Sequence, residues 1–245
     1  MVVAVLRDHA PDVVGVQEAL RFQLDEMVSA LPEYGELGVG REDGDTAGEY
    51  AAILYRSDLF EAEQSGTFWL SDTPDVPGSM SWGNRITRIC TWARFARIDT
   101  EDRFYVYNLH LDHQSQPSRE RSVVLLAQRI AARPTDHPYV VLGDFNAGES
   151  NPAVRFLTGA ADLVEDVDAA ARSPRLRDTY RALHSSPIGI GTFNAFRGET
   201  GGEQIDWILV SHEWEVLEAA IVRTNTNGRY PSDHFPVTAL IRPRR

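Results

Sequence analysis

The sequence predicts an α+β fold in which two layered β-sheets are flanked by helices. Several short runs rich in β-branched and aromatic residues have the composition of strands, whereas few segments carry helical spacing. Many strands with few helices favour layered sheets. Proline and glycine are spread along the chain without a linker or a repeat, so residues 1–245 are expected to form a single domain.

The predicted elements follow from local patterns in chain order. The strands are Val13–Gln17, Ala51–Tyr55, Ile89–Ile98, Phe104–Leu111, Tyr139–Leu142, Ile205–Val210, Ala219–Thr224 and Pro236–Ile241. The helices are Ala19–Leu31, Arg119–Arg133 and Arg175–His184, with a helical turn pattern at Val2–His9 and a further helix start at Asn151-Pro152. Residues 99–102 supply a turn, so the two strands around them are expected to form an antiparallel hairpin.

Charge limits the class of substrate. The chain has 24 basic and 36 acidic side chains, which gives a net charge of 24 − 36 = −12. Such a molecule repels polyanions, which disfavours tight, sequence-independent binding of long duplex nucleic acid. A phosphate ester remains an acceptable substrate, because a bound divalent cation can reverse the field inside an acidic cleft.

Cellular location and assembly are constrained only weakly. The single cysteine, Cys90, excludes an internal disulfide and lies in a strand-like run, where we expect it to be buried. No apolar run approaches membrane-spanning length, and the start of the chain does not resemble a signal peptide. We therefore expect no membrane partner, a cytoplasmic protein if Met1 is the true start, and a monomer.

Polar residues stand at the ends of four predicted strands, where a rigid scaffold presents chemistry. They are Glu18, His110, Asp144 and Asp206. Any one of them alone is as well explained as a solvated or capping residue. As a set they are more informative, because Glu18, Asp144 and Asp233 offer the hard oxygen ligands that Mg²⁺ or Mn²⁺ prefers. Metal-assisted phosphoryl transfer also needs a base and groups that stabilise charge on phosphorus, roles suited to His110, His234, Asn146 and Arg88.

The order of five motifs is more specific than any of them alone. The motifs are Val16-Gln17-Glu18, Asn108-Leu109-His110-Leu111, Gly143-Asp144-Phe145-Asn146, Ile205-Asp206-Trp207-Ile208 and Ser232-Asp233-His234-Phe235-Pro236. This order resembles the endonuclease/exonuclease/phosphatase superfamily, from about Val13 to Pro236. The resemblance implies a four-layer α/β/β/α sandwich of two mostly antiparallel sheets and hydrolysis of phosphoester bonds with Mg²⁺ or Mn²⁺.

The resemblance also implies roles for individual residues. Glu18 matches a metal-binding glutamate, and Asp233 matches a second acidic residue at the metal or phosphate site. Asp144 and Asn146 match the pair that orients the nucleophilic water and the scissile phosphate, with Asp144 also a metal ligand. His234 matches a histidine paired with Asp206, which sets the imidazole tautomer. Whether this histidine acts as a base or as a phosphate-stabilising acid stays open.

Further positions carry weaker matches. His110 is similar to a second histidine of the deoxyribonuclease-like and deadenylase-like branches, with Glu49 as its potential acidic partner. Arg88 is similar to a phosphate-contacting arginine, although Arg85 competes for that role and a solvated strand start explains either residue equally well. Trp207 is expected to pack behind the site. His113, His184 and His212 have no motif context, and His9 and His137 are interpreted as structural.

Two departures from the family pattern stand out. The family normally begins with a strand that carries an asparagine, and no residue here matches it, so we expect the native protein to begin upstream with such a strand. In Gly191-Thr192-Phe193-Asn194 an asparagine stands where similar bacterial members often have histidine. The ending Tyr230-Pro231-Ser232-Asp233-His234 places the chain nearer the bacterial nocturnin and deadenylase-like branch.

Three functional hypotheses follow. The first is hydrolysis of a phosphoester in a small phosphorylated or nucleotide-like substrate. The second is a nuclease acting on short single-stranded RNA or DNA. The third is a binding protein that has kept the fold and lost catalysis, which the unmatched first strand motivates.

Overall fold

Strands outnumber helices along the chain, as seen in a computed structural model that describes residues 1–161 and 172–244. The helices in this part of the chain are α1 (Val2–His9), α2 (Arg21–Ala30), α3 (Gln116–Ala131), α4 (Pro152–Thr158) and α5 (Thr179–Leu183). The strands are β1 (Val13–Ala19), β2 (Tyr34–Leu37), β3 (Tyr50–Arg56), β4 (Phe60–Trp69), β5 (Ile89–Arg97), β6 (Arg103–His110), β7 (Tyr139–Asp144), β8 (Arg177–Asp178), β9 (Asp206–Val210), β10 (Trp214–Ile221) and β11 (Val237–Pro243).

Two layers of β-sheet form the centre of the molecule. One is a six-stranded sheet in the order β4-β5-β6-β7-β9-β8, antiparallel except for the parallel pair β6 and β7. The second layer contains the three-stranded sheet β1-β3-β2 and the pair β10-β11. Apolar side chains from both layers, including Ile53, Phe95, Val106 and Val216, form one buried cluster between them.

Helices cover the outer faces of both layers. In β6, Tyr105, Tyr107 and Leu109 point away from the second layer and pack with residues of α3 and α4. On the opposite side, α1 and α2 contribute Leu6 and Leu24 to a cluster with the three-stranded sheet. The predicted α/β/β/α sandwich of mostly antiparallel sheets is confirmed. Cys90 is fully buried, as expected, and burial raises the pKa of its thiol.

The two outer helices near the functional end begin with side-chain caps. At α3, the Ser115 hydroxyl accepts a hydrogen bond from the amide of Ser118. At α4, the Asn151 side chain accepts one from Ala153, and Pro152 occupies the first turn, where its missing N–H costs nothing. The helix predicted to start at Asn151-Pro152 is therefore confirmed.

The prediction of a helix over Arg175–His184 is wrong in its first half. Arg177 and Asp178 pair with β9 as the short strand β8, and only Thr179–Leu183 is helical. The Asp178 side chain accepts a hydrogen bond from the amide of Tyr180, which starts the helix at that point. The predicted strand Ala219–Thr224 begins earlier, at Trp214.

Strands β2 and β4 were not predicted. The first has only four residues, and the second carries polar residues at its centre, such as Glu63 and Gln64, because it lies at the edge of its sheet and faces solvent there. The hairpin of β5 and β6 is confirmed, with register pairs from Ala96 with Arg103 to Cys90 with Leu109.

Strands β1 and β11 are edge strands of the second layer. Within residues 1–161 and 172–244, β1 pairs only with β3, and β11 pairs only with β10. Residues at the centre of β1 are only partly buried, whereas the centre of β3 is fully buried. In the same part of the chain, no helix is long and apolar enough to cross a membrane.

Candidate active site

Three polar side chains stand side by side at one end of the six-stranded sheet. The register pairs His110 with Asp144 across the parallel strands β6 and β7, and Asp144 with Asp206 across the antiparallel strands β7 and β9. Neighbours in register point to the same face of a sheet. Along β6, His110 shares the face of Phe104 and Val106, which is directed at the second sheet layer. The row of His110, Asp144 and Asp206 therefore lies at one end of the sandwich, on the face between its two sheet layers.

The end of β7 has a backbone that only glycine adopts easily. Gly143 has φ +135°, and a Cβ atom at this position would lie 1.9 Å from the carbonyl oxygen of Leu109 on the neighbouring strand. The close approach of these two strands thus requires glycine directly before Asp144. Asn146, two residues beyond Asp144, also has a positive φ of 47°.

Glu18 reaches the site from the opposite sheet through an irregularity in β1. The pairing of β1 with β3 shifts between Gln17 and Ala19, and Glu18 itself has φ +64°. A bulge of this kind redirects a side chain out of the regular alternation. The Glu18 carboxylate lies 3.8 Å from Nε2 of His110 and is largely exposed to solvent. Strained backbone at both Glu18 and Asn146 is typical of functional positions.

Asn108 ties the two sheets together just beneath the site. It is completely buried, and its Nδ2 donates hydrogen bonds to the carbonyl oxygens of Ala52 (2.8 Å) and Val16 (3.2 Å). Its Oδ1 accepts a 2.6 Å hydrogen bond from Gln17. These bonds link β6 to β1 and β3. They therefore position His110 and Glu18 relative to each other.

His234 and Asp206 form a close pair. Nδ1 of His234 lies 2.8 Å from Oδ2 of Asp206. Burial alone would lower the pKa of His234, but the hydrogen bond to Asp206 and its charge, with those of Asp144 and Asp233, outweigh burial and raise it to about 9. The histidine is therefore protonated at neutral pH, with Nε2 as the nitrogen left for a substrate. Trp207 is buried, as expected, and donates to the carbonyl oxygen of Ala147.

Asp144 is buried and held by Asn146. Its Oδ1 accepts the amide hydrogen of Asn146 at 2.8 Å, and its Oδ2 accepts from the Asn146 side chain at 3.2 Å. Nδ2 of Asn146 also donates to the carbonyl oxygen of Leu111. Burial, followed by the charge of Asp206, raises the pKa of Asp144 to about 7. The carboxyl group therefore changes charge near neutrality.

Arg88 forms a buried network with two histidines and an aspartate. Its Nη1 lies 2.8 Å from Nε2 of His110, its Nη2 lies 2.8 Å from Nδ1 of His113, and its Nε faces Asp112 at 3.4 Å. Burial, together with the charge of Arg88, keeps the pKa of His110 well below its usual value. Arg85, the competing candidate, is exposed and does not line the cleft. Of the two arginines proposed from the sequence, Arg88 is the one that lines the cleft.

These residues line a cleft of about 640 Å³. All the predicted site residues except Asp206 belong to its wall, and Asp206 is reached through His234. The wall also contains residues that the sequence analysis did not propose: Arg41, Ile86, His113, Phe193, Glu199, Gly201, Gly202, Glu203 and Ile205. His113, which has no motif context, contacts Arg88 at the cleft. Its position three residues after His110 was the available signal.

The donor atoms fit a hard divalent cation. Potential ligand atoms of Glu18, Glu49 and His110 lie within 4.8 Å of one another, as do those of Asp144, Asp206 and His234. His110 connects the two groups, because its Nε2 also lies 3.5 Å from Oδ2 of Asp144. Carboxylate oxygens dominate and no cysteine is near, which suits Mg²⁺ or Mn²⁺. Glu49 stands beside Glu18 and pairs with Arg41, whereas Asp233, which lines the same cleft, belongs to neither group.

Three solved bacterial structures and one viral sequence are similar to this chain. Proteins of this fold from Bacteroides vulgatus, described as endonuclease/exonuclease/phosphatase, and from Bacteroides thetaiotaomicron, a mannosyl-6-phosphatase, have TM-scores of 0.86 and 0.84. Their sequence identities are 34% and 33%. The alignments cover 99% and 98% of this chain and 89% and 88% of the others. A functionally unknown Enterococcus faecalis protein is 28% identical, with a TM-score of 0.84 and coverage of 99% and 90%.

The viral relative is an uncharacterized protein of Acanthamoeba polyphaga mimivirus, 26% identical over 157 residues. The match spans 61% of this chain and 58% of the relative's length. The human nocturnin catalytic domain shares the fold at 15% identity, with a TM-score of 0.74 and coverage of 99% and 85%.

The family model described as Endonuclease/Exonuclease/phosphatase family matches residues 1–234. Together with the bacterial neighbours above 30% identity, this match confirms the resemblance read from the five motifs. The chain belongs to the endonuclease/exonuclease/phosphatase family, whose members are phosphoesterases or nucleases.

Proposed function

We propose that this chain is a divalent-metal-dependent phosphomonoesterase that acts on small phosphorylated substrates. The observation that carries the proposal is the row of His110, Asp144 and Asp206 in register, completed by the 2.8 Å pair of Asp206 with His234. This geometry supports a pairing of a carboxyl group that can accept a proton, Asp144, with an imidazole that can donate a hydrogen bond, His234. Hydrolysis of a phosphoester needs both, because water must lose a proton while negative charge develops on the phosphoryl group.

Asp144 and Asn146 act on the attacking water. The Asn146 amide holds the Asp144 carboxylate in one orientation, so that an oxygen of the carboxylate can orient a water molecule and accept its proton. Burial raises the pKa of this carboxyl group, which makes it a stronger base for the proton of the water.

His234 acts on the phosphoryl group. With Nδ1 bonded to Asp206, the imidazolium offers Nε2–H to a phosphoryl oxygen, where it neutralises the charge that develops as water attacks. The bond from phosphorus to the leaving oxygen then breaks, that oxygen takes up a proton from solvent, and Asp144 returns its proton to solvent. Arg88 supplies a second positive charge, held in place by Asp112 and both neighbouring histidines.

Glu18 and Asp144 are the residues that would hold the cation, with Glu49 beside them. When bound, Mg²⁺ or Mn²⁺ supplies electrostatic stabilisation of the phosphoryl oxygens. The carboxylates otherwise give this cleft a negative field that would oppose binding of a phosphate. A cation is therefore needed for substrate binding as well as for chemistry.

The size and charge of the cleft support a small substrate. A volume of about 640 Å³ is within the range of clefts that enclose a small molecule. The net charge of −12 disfavours a long polyanion. The bacterial mannosyl-6-phosphatase, at 33% identity over almost the whole chain, also supports a monoester.

The test is a panel of substrates with Mg²⁺ or Mn²⁺: a generic monoester, a generic diester, nucleotides, single-stranded RNA and duplex DNA. We expect the highest kcat/KM for a monoester. Preferential cleavage of single-stranded RNA or DNA would instead establish a nuclease. No hydrolysis of any substrate, with either cation, would favour a binding protein that has lost catalysis.

A further inference from the structure

Phe193 presents an aromatic ring inside the cleft, next to the reacting groups. Its ring centroid lies 5.3 Å from that of His234 at an interplanar angle of 72°, and the ring is 47% exposed. A half-exposed phenylalanine on a surface needs no special explanation. This one differs, because it lines the cleft and touches the imidazole that we assign to the phosphoryl group.

The backbone around Phe193 is anchored, so its ring is held in place. Thr192 and Asn194 on either side are fully buried. The amide of Asn194 donates to the carbonyl oxygen of Asp233 at 2.6 Å, and the amide of Phe235 donates to that of Thr192 at 2.7 Å. A ring fixed in this way loses little conformational freedom when a ligand packs on it.

The cleft wall beside this ring carries acceptors. Glu199 and Glu203 are exposed carboxylates that line the same cleft. Ionised carboxylates only accept hydrogen bonds. They therefore suit a leaving group that carries several hydroxyl donors and no negative charge of its own. A sugar ring meets both conditions, since its hydroxyl groups donate and its C–H face is apolar.

We propose that Phe193 determines the substrate class, by packing against the ring of a sugar whose phosphate is hydrolysed, with Glu199 and Glu203 accepting hydrogen bonds from its hydroxyl groups. This inference rests on the proposed phosphomonoesterase function. It assigns the substrate as a sugar monophosphate. Asn194, beside Phe193, holds the loop by donating to the carbonyl oxygen of Ser232.

The test compares kcat/KM for a hexose 6-phosphate, a nucleoside 5′-monophosphate and glycerol 3-phosphate, which has hydroxyl groups but no ring. We expect the wild-type protein to prefer the hexose phosphate. Phe193→Ala should lower kcat/KM for the hexose phosphate roughly tenfold more than for glycerol 3-phosphate, mainly through KM, because aromatic packing contributes about this much. Phe193→Trp, which keeps an aromatic ring, should restore the preference.

The matched control is Phe196→Ala on the same segment. Phe196 is 58% exposed but does not line the cleft, so its removal should leave all three activities unchanged. Equal losses on hexose phosphate and glycerol 3-phosphate in Phe193→Ala would overturn the inference, because the ring would then act only through His234. A wild-type preference for the nucleotide would also overturn it. Failure to hydrolyse any of the three phosphomonoesters would overturn the proposed function itself.

Discussion

His234 and Asp144 share one cleft, yet the histidine has a pKa of about 9 and the carboxyl group has a pKa of about 7. Both shifts arise from neighbours that the sheet register provides. Asp206 raises the pKa of the imidazole by bonding to its protonated form, and burial raises the pKa of the carboxyl group by disfavouring its charge. Perturbed groups of this kind cluster at functional sites.

Removal of either side chain should abolish most turnover. We expect His234→Ala and Asp144→Ala each to lower kcat by about 10²-fold or more, since positioned acid–base and electrostatic groups each contribute this much. Steady-state kinetics on the best monoester, with circular dichroism to verify folding, measures the effect. The control is His212→Ala, an exposed histidine outside the cleft. Near wild-type kcat in either site variant would refute the assignment.

The pH profile should report the Asp206–His234 pair. Activity requires the protonated imidazole, so it should fall as pH rises through about 9 in the wild-type protein. Asp206 is the main group that raises this pKa. In Asp206→Asn the basic limb of the kcat profile should therefore move to lower pH, towards the ordinary histidine range of about 6.5. A basic limb that stays in place after this substitution would show that another group titrates there.

At the scale of elements, the site depends on how closely β6 and β7 approach. Two features require glycine at position 143. A Cβ atom there would lie 1.9 Å from the carbonyl oxygen of Leu109, and the backbone has a φ of +135°. Parallel pairing of these strands is what places His110 against Asp144. Any side chain at position 143 must push the two strands apart, and this would also separate His110 from Asp144.

Gly143→Ala should therefore destabilise the protein by about 2–5 kcal/mol, the sum of backbone strain and overpacking. Chemical denaturation measures this loss of free energy of unfolding. Gly201→Ala is the matched control, because a Cβ there meets nothing within 4 Å. We expect that variant to stay within about 0.5 kcal/mol of wild type. Equal stability of the two variants would contradict the close approach of the strands.

At the scale of the whole molecule, the net charge of −12 and the carboxylates in the cleft favour the binding of a cation. A bound cation stabilises the folded state, because the ligand groups come together only on folding. It also reverses the sign of the field that a phosphate meets.

We expect activity to disappear in excess EDTA and to return with Mg²⁺ or Mn²⁺. The same cations should raise the thermal midpoint, with a stabilisation of about 2.7 kcal/mol at a concentration of one hundred times Kd. Differential scanning calorimetry with and without Mn²⁺ measures the shift, and Glu18→Gln should reduce it. Full activity in EDTA would contradict the metal requirement.

The amino-acid sequence by itself determined the layered architecture, most strands and the motif residues, because periodicity and helix caps are local properties. Glu18, His110, Asp144 and Asp206 were found as polar residues at strand ends. Strands β2 and β4 escaped prediction, because they are short or polar and owe their extended form to neighbouring strands.

Only the tertiary structure decided which polar residues meet. His110, Asp144 and Asp206 are far apart along the chain and become neighbours through the register of β6, β7 and β9. The same holds for Phe193 and His113, which carry no periodic signal and reach the cleft because loops fold back on the sheet ends. Register and loop placement depend on the packing energy between segments that are distant in the chain, and local sequence patterns do not encode that packing energy.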